Sequence, residues 1–316
     1  MKIAIVSPSY FPSEAGGAEV SVKLLAEGLQ LKKHRVTVLA FDGDKHTEDI
    51  IEGVRVVRYR LIKGLTDRAQ PLTLLPLVTR TMMHWQIEHD LFHIYNVFPL
   101  PGAGLYKLMG GKKPVIATFN SYNGFCPLSH GMCPNNGCHF VQRTRCLLEA
   151  RGISEKALSI PYSAVYPLLT RLTKRADRYI ALSKDSKRIY IEHGYDESKI
   201  DVIPNFIEQY HFTDSPSLEK HHDFNILYVG TLSESKGVSI LLQAFSKVLK
   251  NHQNLHLTFV GDGPYKEQLR KLSSALGTDK NVLFTGRILH EDIWRYYQNA
   301  NVFVHPGIWA EPFGRT

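Results

Sequence analysis

The sequence predicts an α/β protein built from two parallel-sheet, Rossmann-like domains, and three observations carry that expectation. The chain has 316 residues, enough for about two domains at roughly 100–200 residues each. Runs rich in Val, Ile, Leu and Tyr alternate with helix-period segments, the order that parallel strands and crossover helices impose. Most of those runs are apolar almost without interruption, as strands covered on both faces must be.

In the first half, strands are expected at 2–7, 35–41, 54–60, 91–95, 114–118, 178–181 and 200–203. Between the first two, residues 18–31 place Val20, Leu24, Leu25 and Leu29 at helical spacing with Glu19, Lys23 and Glu27 opposite, which makes an amphipathic crossover. Residues 210–223 are polar and aperiodic and read as a linker. That divides the chain into domains 1–209 and 224–316. The second series has strands at 225–229, 255–260, 282–285 and 302–305, with helices at 238–249, 265–276 and 291–299. It stops at Thr316 with no helix returning over the last strand, so the second domain is expected to be incomplete.

Composition narrows the class. With 43% hydrophobic and 22% charged residues the chain is an ordinary folded protein rather than a disordered one. The net charge of +8 favours an acidic partner: a nucleotide diphosphate, an anionic lipid surface or nucleic acid. No block of five or six basic residues and no basic stretch with interleaved aromatics exists, which argues against nucleic acid. The apolar stretch before Pro8 is too short for a secretory signal and reads as an opening strand, giving the expectation of a cytoplasmic protein. The nearest approach to a membrane span, 71–85, is interrupted by Thr73, Pro76, Thr79, Arg80, Thr81 and His84.

Four loops could carry chemistry. Gly16 and Gly17 stand between the first strand and the first helix, where glycine lets the backbone approach a ligand and the helix start offers free N–H groups to an anion. A plain strand-to-helix turn explains them equally. Lys236 sits near a helix start between Gly230 and Gly237, suited to meet a phosphate or simply solvated. Gly261-Asp262-Gly263 begins like a dinucleotide fingerprint but has Lys266 in place of the third glycine; a tight turn with Pro264 at the first helical position accounts for it. Glu311 lies on a loop beyond the last strand, at the carboxyl end where such sheets bind ligands.

Together these segments resemble the retaining glycosyltransferases of family 4, which have the two-Rossmann GT-B architecture. The resemblance spans essentially the whole chain. It rests on Gly16-Gly17, Asp90-Leu91-Phe92-His93, Asp177 to Ser183, Val202-Ile203-Pro204-Asn205-Phe206, Gly230 to Gly237, Gly261 to Pro264 and Glu311-Pro312-Phe313-Gly314. It implies that Gly16, Gly17 and Lys236 contact the donor diphosphate, that Gly230 and Thr231 belong to the donor-binding set and that Arg287 and Ile288 lie beside the nucleobase. It also implies that Glu311 lies near the donor sugar as the first glutamate of E-x7-E, and that Phe313 and Gly314 bring main-chain amides to the donor.

Three departures stand out. Thr231 occupies the place of a second diphosphate cation, usually Arg. Asn120 replaces the histidine of a Thr-x-His stretch; its amide can hydrogen-bond a sugar hydroxyl but cannot act as a base. The second glutamate of E-x7-E would fall at position 319, past Thr316.

Cys126, Cys133, Cys138 and Cys146 cluster within 21 residues. Their spacing leaves a structural metal, reduced buried thiols and disulfides all open. The resemblance makes the segment an acceptor-side structural element. Between Arg58 and Trp85, basic residues mix with Leu, Val and Met, which suits an anionic interface or a core helix with solvated flanks. Asp42-Gly43-Asp44 reads as a turn.

The expected function is transfer of a sugar from a nucleotide diphosphate sugar in the interdomain cleft to an acceptor hydroxyl, with retention and without a divalent metal. Lys236 and the loop amides would stabilise the departing diphosphate, with Asn120 and Glu311 at the sugar. Similar enzymes often use lipid-linked or glycan acceptors at the inner membrane face. A non-catalytic nucleotide-sugar-binding relative and an epimerase of the same fold are the alternatives.

Overall fold

The computed structural model describes residues 1–12, 17–60, 70–127, 139–149, 153–206, 224–289 and 292–314. The chain divides into two compact units, Met1–Glu208 with Glu311–Arg315, and Gln209–Ala310. The expected linker, 210–223, lies outside the described residues.

The first unit runs β1 (Lys2–Ser7), α1 (Gly17–Leu31), β2 (Arg35–Gly43), β3 (Thr47–Ile51), β4 (Val54–Arg60), α2 (Gln70–Trp85), β5 (Leu91–Tyr95), α3 (Leu100–Leu108) and β6 (Val115–Phe119). It continues with α4 (Phe140–Glu149), α5 (Ile153–Thr173), β7 (Arg178–Ala181), α6 (Lys184–Glu192) and β8 (Ile200–Val202). The strands form one sheet in the order β3-β4-β2-β1-β5-β6-β7-β8. All neighbours are parallel except β3 and β4. Ala4, Ile5, Val6, Val38, Leu39 and Ala40 are fully buried, which is why β1 and β2 read as unbroken apolar runs. Strand order reverses between β1 and β5, and ligands of open α/β sheets bind beyond the carboxyl ends at such a point.

Several expectations are corrected here. The hairpin strand β3 was not expected, and it breaks the all-parallel pattern; Glu48, Asp49 and Ile50 are exposed at the sheet edge and carry no buried-strand signature. Asp42 and Gly43 belong to β2 rather than to a turn. The segment before Trp85 is a core helix: Leu74, Val78, Met82 and Trp85 of α2 are buried, although Leu72 is 38% exposed. Lys63 and Arg68 lie outside the described residues.

The second unit contains β9 (Phe224–Val229), α7 (Val238–Leu249), β10 (Leu255–Val260), α8 (Lys266–Ala275), β11 (Val282–Gly286), α9 (Ile293–Asn299) and β12 (Val302–Phe303). Its parallel sheet has the order β11-β10-β9-β12, so a second reversal lies between β9 and β12. Helix α8 begins at Lys266 with Tyr265 as its cap, which puts Pro264 before the helix instead of at its first position. Strand β12 is shorter than the 302–305 expected.

Three strands start with the same device. Asp90, just before β5, accepts from the Lys2 amide at 2.8 Å and returns its own N–H to the Lys2 carbonyl at 2.8 Å. Asp177, before β7, does this with Val115 at 2.8 and 2.9 Å. Asn301, before β12, repeats it with Asn225 at 2.8 and 2.9 Å. Each side chain satisfies a donor in the first or second residue of a neighbouring strand, which the sheet ladder would otherwise leave open.

Candidate active site

In the first unit the loop between β1 and α1 is held from below by two side chains the sequence did not single out as partners. Asp42, at the end of β2, receives Arg58 of β4 at 2.6 Å on both carboxylate oxygens and the Tyr10 amide at 3.0 Å. The same guanidinium donates to the carbonyls of Tyr10 at 3.1 Å and Phe11 at 2.7 Å. Both charged side chains are 13% exposed. A planar fork with five donors suits this bridging of one carboxylate and two carbonyls. The network fixes the chain at Tyr10 and Phe11, and Gly17 is the first residue of α1, its carbonyl accepting from Ser21 at 2.8 Å. Gly16 lies outside the described residues.

Two of the stretches singled out in the sequence meet where β5 lies beside β6. His93 Nε2 and Thr118 Oγ1 are 2.8 Å apart and buried. Burial pushes the His93 imidazole down to about 4, so it is neutral at neutral pH. Asn120 follows β6, and its buried Oδ1 has no hydrogen-bond partner. A buried acceptor left unpaired costs free energy that a ligand hydroxyl or amide would recover.

The loop beyond Asn120 is fixed by tyrosines. Tyr190 donates to the Ser121 carbonyl, Tyr166 to that of Asn123 at 2.6 Å, and Thr173 to that of Gly124 at 3.3 Å. Tyr95 of β5 donates to Asn205 at 3.2 Å, tying in the Pro204-Asn205 motif. Cys126 is buried and Cys146 half-buried, both free thiols, with Gln142 Nε2 3.7 Å from the Cys146 sulfur. Cys133 and Cys138 lie outside the described residues. Among the described residues no group of three His, Cys, Asp or Glu is placed to hold a metal ion.

In the second unit, three glycines at the carboxyl ends of β9, β10 and β11 interlock. Gly230 donates to the Val260 carbonyl and Gly261 to that of Gly286, both at 2.9 Å. A Cβ on Gly261, whose φ is +138°, would stand 2.0 Å from the Gly230 carbonyl oxygen, so no other residue fits. Thr231 accepts from the Tyr228 hydroxyl at 2.9 Å through its carbonyl. Lys266, in the place of a third fingerprint glycine, pairs with Asp262 at 2.9 Å and holds that carboxyl below its usual range.

Lys236 ends a short 3-10 turn, Glu234–Lys236, before Gly237 at φ +66°. The segment after β12 packs over this turn: Ile308 donates to the Ser235 carbonyl at 3.0 Å, and Lys236 Nζ stands 5.1 Å from the Trp309 ring centroid. Trp309 Nε1 is buried without a partner. Arg287 is exposed just after Gly286, while Ile288 packs on Leu227, Val229 and Val260. Glu311 is half-buried, Phe313 is 39% exposed and Gly314 is half-buried. The structure thus brings Gly230, Thr231 and Lys236 to one end of the second sheet, with Trp309 as a neighbour that no sequence spacing pointed to.

Residues 15–209 match the family described as Glycosyltransferase Family 4. The chain belongs to glycosyltransferase family 4. Residues 212–316 of the enzyme match the family described as Glycosyl transferases group 1. An uncharacterized glycosyltransferase of Methanocaldococcus jannaschii is 26% identical over 99% of this chain and 76% of its own length. The alpha-monoglucosyldiacylglycerol synthase of Streptococcus pneumoniae is 22% identical over 96% of this chain and 65% of its own. Among solved structures, Anabaena HepE in complex with UDP-glucose superposes with a TM-score of 0.68 at 20% identity, over 100% of this chain and 76% of that one. The glycosyltransferase has the GT-B fold, with a Rossmann-like sheet in each unit.

Proposed function

We propose that this glycosyltransferase moves a sugar from a nucleotide diphosphate sugar to an acceptor hydroxyl with retention of configuration, in the assembly of a glycan or glycolipid. The observation that carries the donor assignment is the Lys236 ammonium standing over the ring of Trp309, whose own Nε1–H is buried without a partner. A cation beside an orphaned N–H donor at the end of a parallel sheet is a site for anionic oxygen. The interlocked Gly230 and Gly261 leave backbone rather than side chains at the same end. In this reading Lys236 and the Trp309 N–H take up the charge that develops on the leaving diphosphate.

No divalent cation is called for, because that charge is met by fixed donors. Arg287 and Ile288 lie beside the nucleobase, and Glu311 beside the donor sugar. Asn120 Oδ1 accepts from a sugar or acceptor hydroxyl; with a neutral amide there and a neutral His93 hydrogen-bonded to Thr118, two residues before Asn120, the protein contributes positioning rather than proton abstraction at these two residues. The relatives support the substrate class: UDP-glucose is bound in the HepE complex, and the streptococcal relative is an alpha-monoglucosyldiacylglycerol synthase. An acceptor presented at the inner membrane face is part of the same proposal; no described helix is long and apolar enough to cross a membrane.

Calorimetric titration with UDP, GDP, ADP and CMP tests the donor site. One nucleotide is expected to bind selectively, and Lys236→Ala to weaken it by about 1.5–3 kcal/mol, roughly tenfold to a hundredfold. Binding of none of the four, or binding indifferent to Lys236→Ala, overturns the donor assignment. With the donor in hand, loss of transfer in Glu311→Ala separates a transferase from a binding-only relative, and product analysis without acceptor reveals an epimerase.

A further inference from the structure

Helices α4 and α5 enclose a cation that nothing in the proposed donor site uses. Arg143 of α4 is only 6% exposed, and its Nε has no hydrogen-bond partner. Among the described residues no carboxylate lies within ion-pair distance of it; the ring of Tyr166 lies against it, 5.5 Å from the guanidinium carbon to the centroid. One turn further along α4, Leu147 packs against Tyr162, Tyr166 and Leu169 of α5, so Arg143 looks onto the same face of α5. On that face, three residues before Tyr166, Ser163 is fully buried and its Oγ is also unpaired.

Two donors of this kind in one helix interface are costly unless something answers them. A buried guanidinium needs an opposite charge to offset its lost hydration, and a ring face supplies only part of that. A buried hydroxyl needs an acceptor. The ligand that answers both is an oxyanion: Arg offers charge and a fork of N–H groups, and Ser adds a third donor, the set that phosphate oxygens accept. The site also reaches the chemistry. The Tyr166 ring that carries Arg143 donates through its hydroxyl to the carbonyl of Asn123, three residues beyond Asn120.

We propose that Arg143 and Ser163 form a phosphate subsite on the acceptor side, which holds a phosphate group of the acceptor while its hydroxyl meets Asn120. The assignment to the acceptor rests on the transferase reading; the phosphate site itself does not. The outer face of α5 exposes Ile160, Val165 and Leu168 at 57%, 37% and 56%, so a lipid headgroup and a soluble phosphate are both candidate sources of the same chemistry.

The test uses the full chain in a Lys236→Ala background, which removes the donor-side phosphate contact. Inorganic phosphate is titrated by calorimetry and by thermal unfolding, and binding to phosphatidylcholine vesicles is compared with and without phosphatidylglycerol. Phosphate is expected to bind and to raise the melting temperature. Arg143→Met should weaken it roughly tenfold or more, while making the ligand-free protein no less stable, since an unanswered buried charge has been replaced by an apolar side chain. Ser163→Ala, a smaller change, should weaken phosphate severalfold and keeps the test decisive if Arg143→Met misfolds. Binding only to vesicles that contain phosphatidylglycerol, lost in either variant, assigns the phosphate to a lipid. Phosphate affinity unchanged by both variants, or no binding to phosphate or to either vesicle, overturns the proposal. Nucleotide binding to the chain with Lys236 intact is read separately, so a failed donor site and a failed phosphate site are distinguishable.

Discussion

The Asp42–Arg58 pair makes a quantitative test of how the loop after β1 is held. Arg58→Met removes the guanidinium, and Asp42→Asn removes the charge while keeping the shape. At 13% exposure on both sides the pair is closer to a buried ion pair than to a surface one. Breaking a buried pair costs about 3–5 kcal/mol, an exposed one about 0–1. Arg58→Met also strips the donors from the carbonyls of Tyr10 and Phe11, so we expect a loss of about 3–4 kcal/mol. Asp42→Asn keeps an oxygen for the Tyr10 amide and should cost about 2 kcal/mol.

The double variant should cost about 1.5–2 kcal/mol less than the sum, because the pair can be lost only once. In urea, with a slope of about 2–3 kcal/mol per molar for a domain of this size, Arg58→Met should lower the unfolding midpoint by roughly 1 M or more. Nucleotide affinity should fall with it, since the same contacts station the chain ahead of Gly17. A double-mutant cycle by urea unfolding decides the matter. Additivity within about 0.5 kcal/mol would refute the view that these two side chains act as one clamp.

Other expectations follow from single residues. The neutral His93 is protonated in the unfolded chain below its ordinary value near 6.5 but resists protonation in the fold down to about 4. The unfolded state therefore binds more protons in that window: stability is full above about 6.5 and falls as pH drops toward 4, by at most about 3 kcal/mol. His93→Gln should flatten this dependence in urea unfolding at pH 7.5 and 4.5, and an unaltered slope counts against it. Gly237→Ala would put a Cβ 2.0 Å from the Pro306 carbonyl oxygen at φ +66°. A loss of about 2 kcal/mol or more is expected, with weaker nucleotide binding because Lys236 is displaced; an unmoved midpoint and affinity together contradict that packing. Asn120→Ala removes an unanswered buried oxygen, so stability should hold or rise while transfer falls about tenfold. A destabilised but fully active variant means that Asn120 is structural.

The fold was legible in the sequence because parallel strands covered on both faces leave long apolar runs, as in β1 and β2. What escaped did so for physical reasons. Strand β3 is an exposed edge with acidic residues. Helix α3 is buried almost all round and contains Pro101, Gly102 and Gly104, and α5 holds Pro161 and Pro167, so neither shows the expected helical pattern. The glycine-flanked loops of the site were readable because close backbone approach needs a specific residue type. The partners Asp42 and Arg58, or Lys236 and Trp309, carry no spacing signal, since only strand order and loop packing bring them together. Asp42 was misread as part of a turn for that reason.

The reciprocal bonds at Asp90, Asp177 and Asn301 reach beyond the strands they start. Each one indexes a strand against its neighbour at the amino end, and the loops with Asn120 and Lys236 lie at the carboxyl end of the same sheets. The distance from index to loop is then counted in strand residues alone. The crossover segments can lengthen, shorten or be exchanged without sliding the working loops along the sheet. A chain built this way separates the part of its sequence that can be rewritten for a new acceptor from the part that keeps the loops in step.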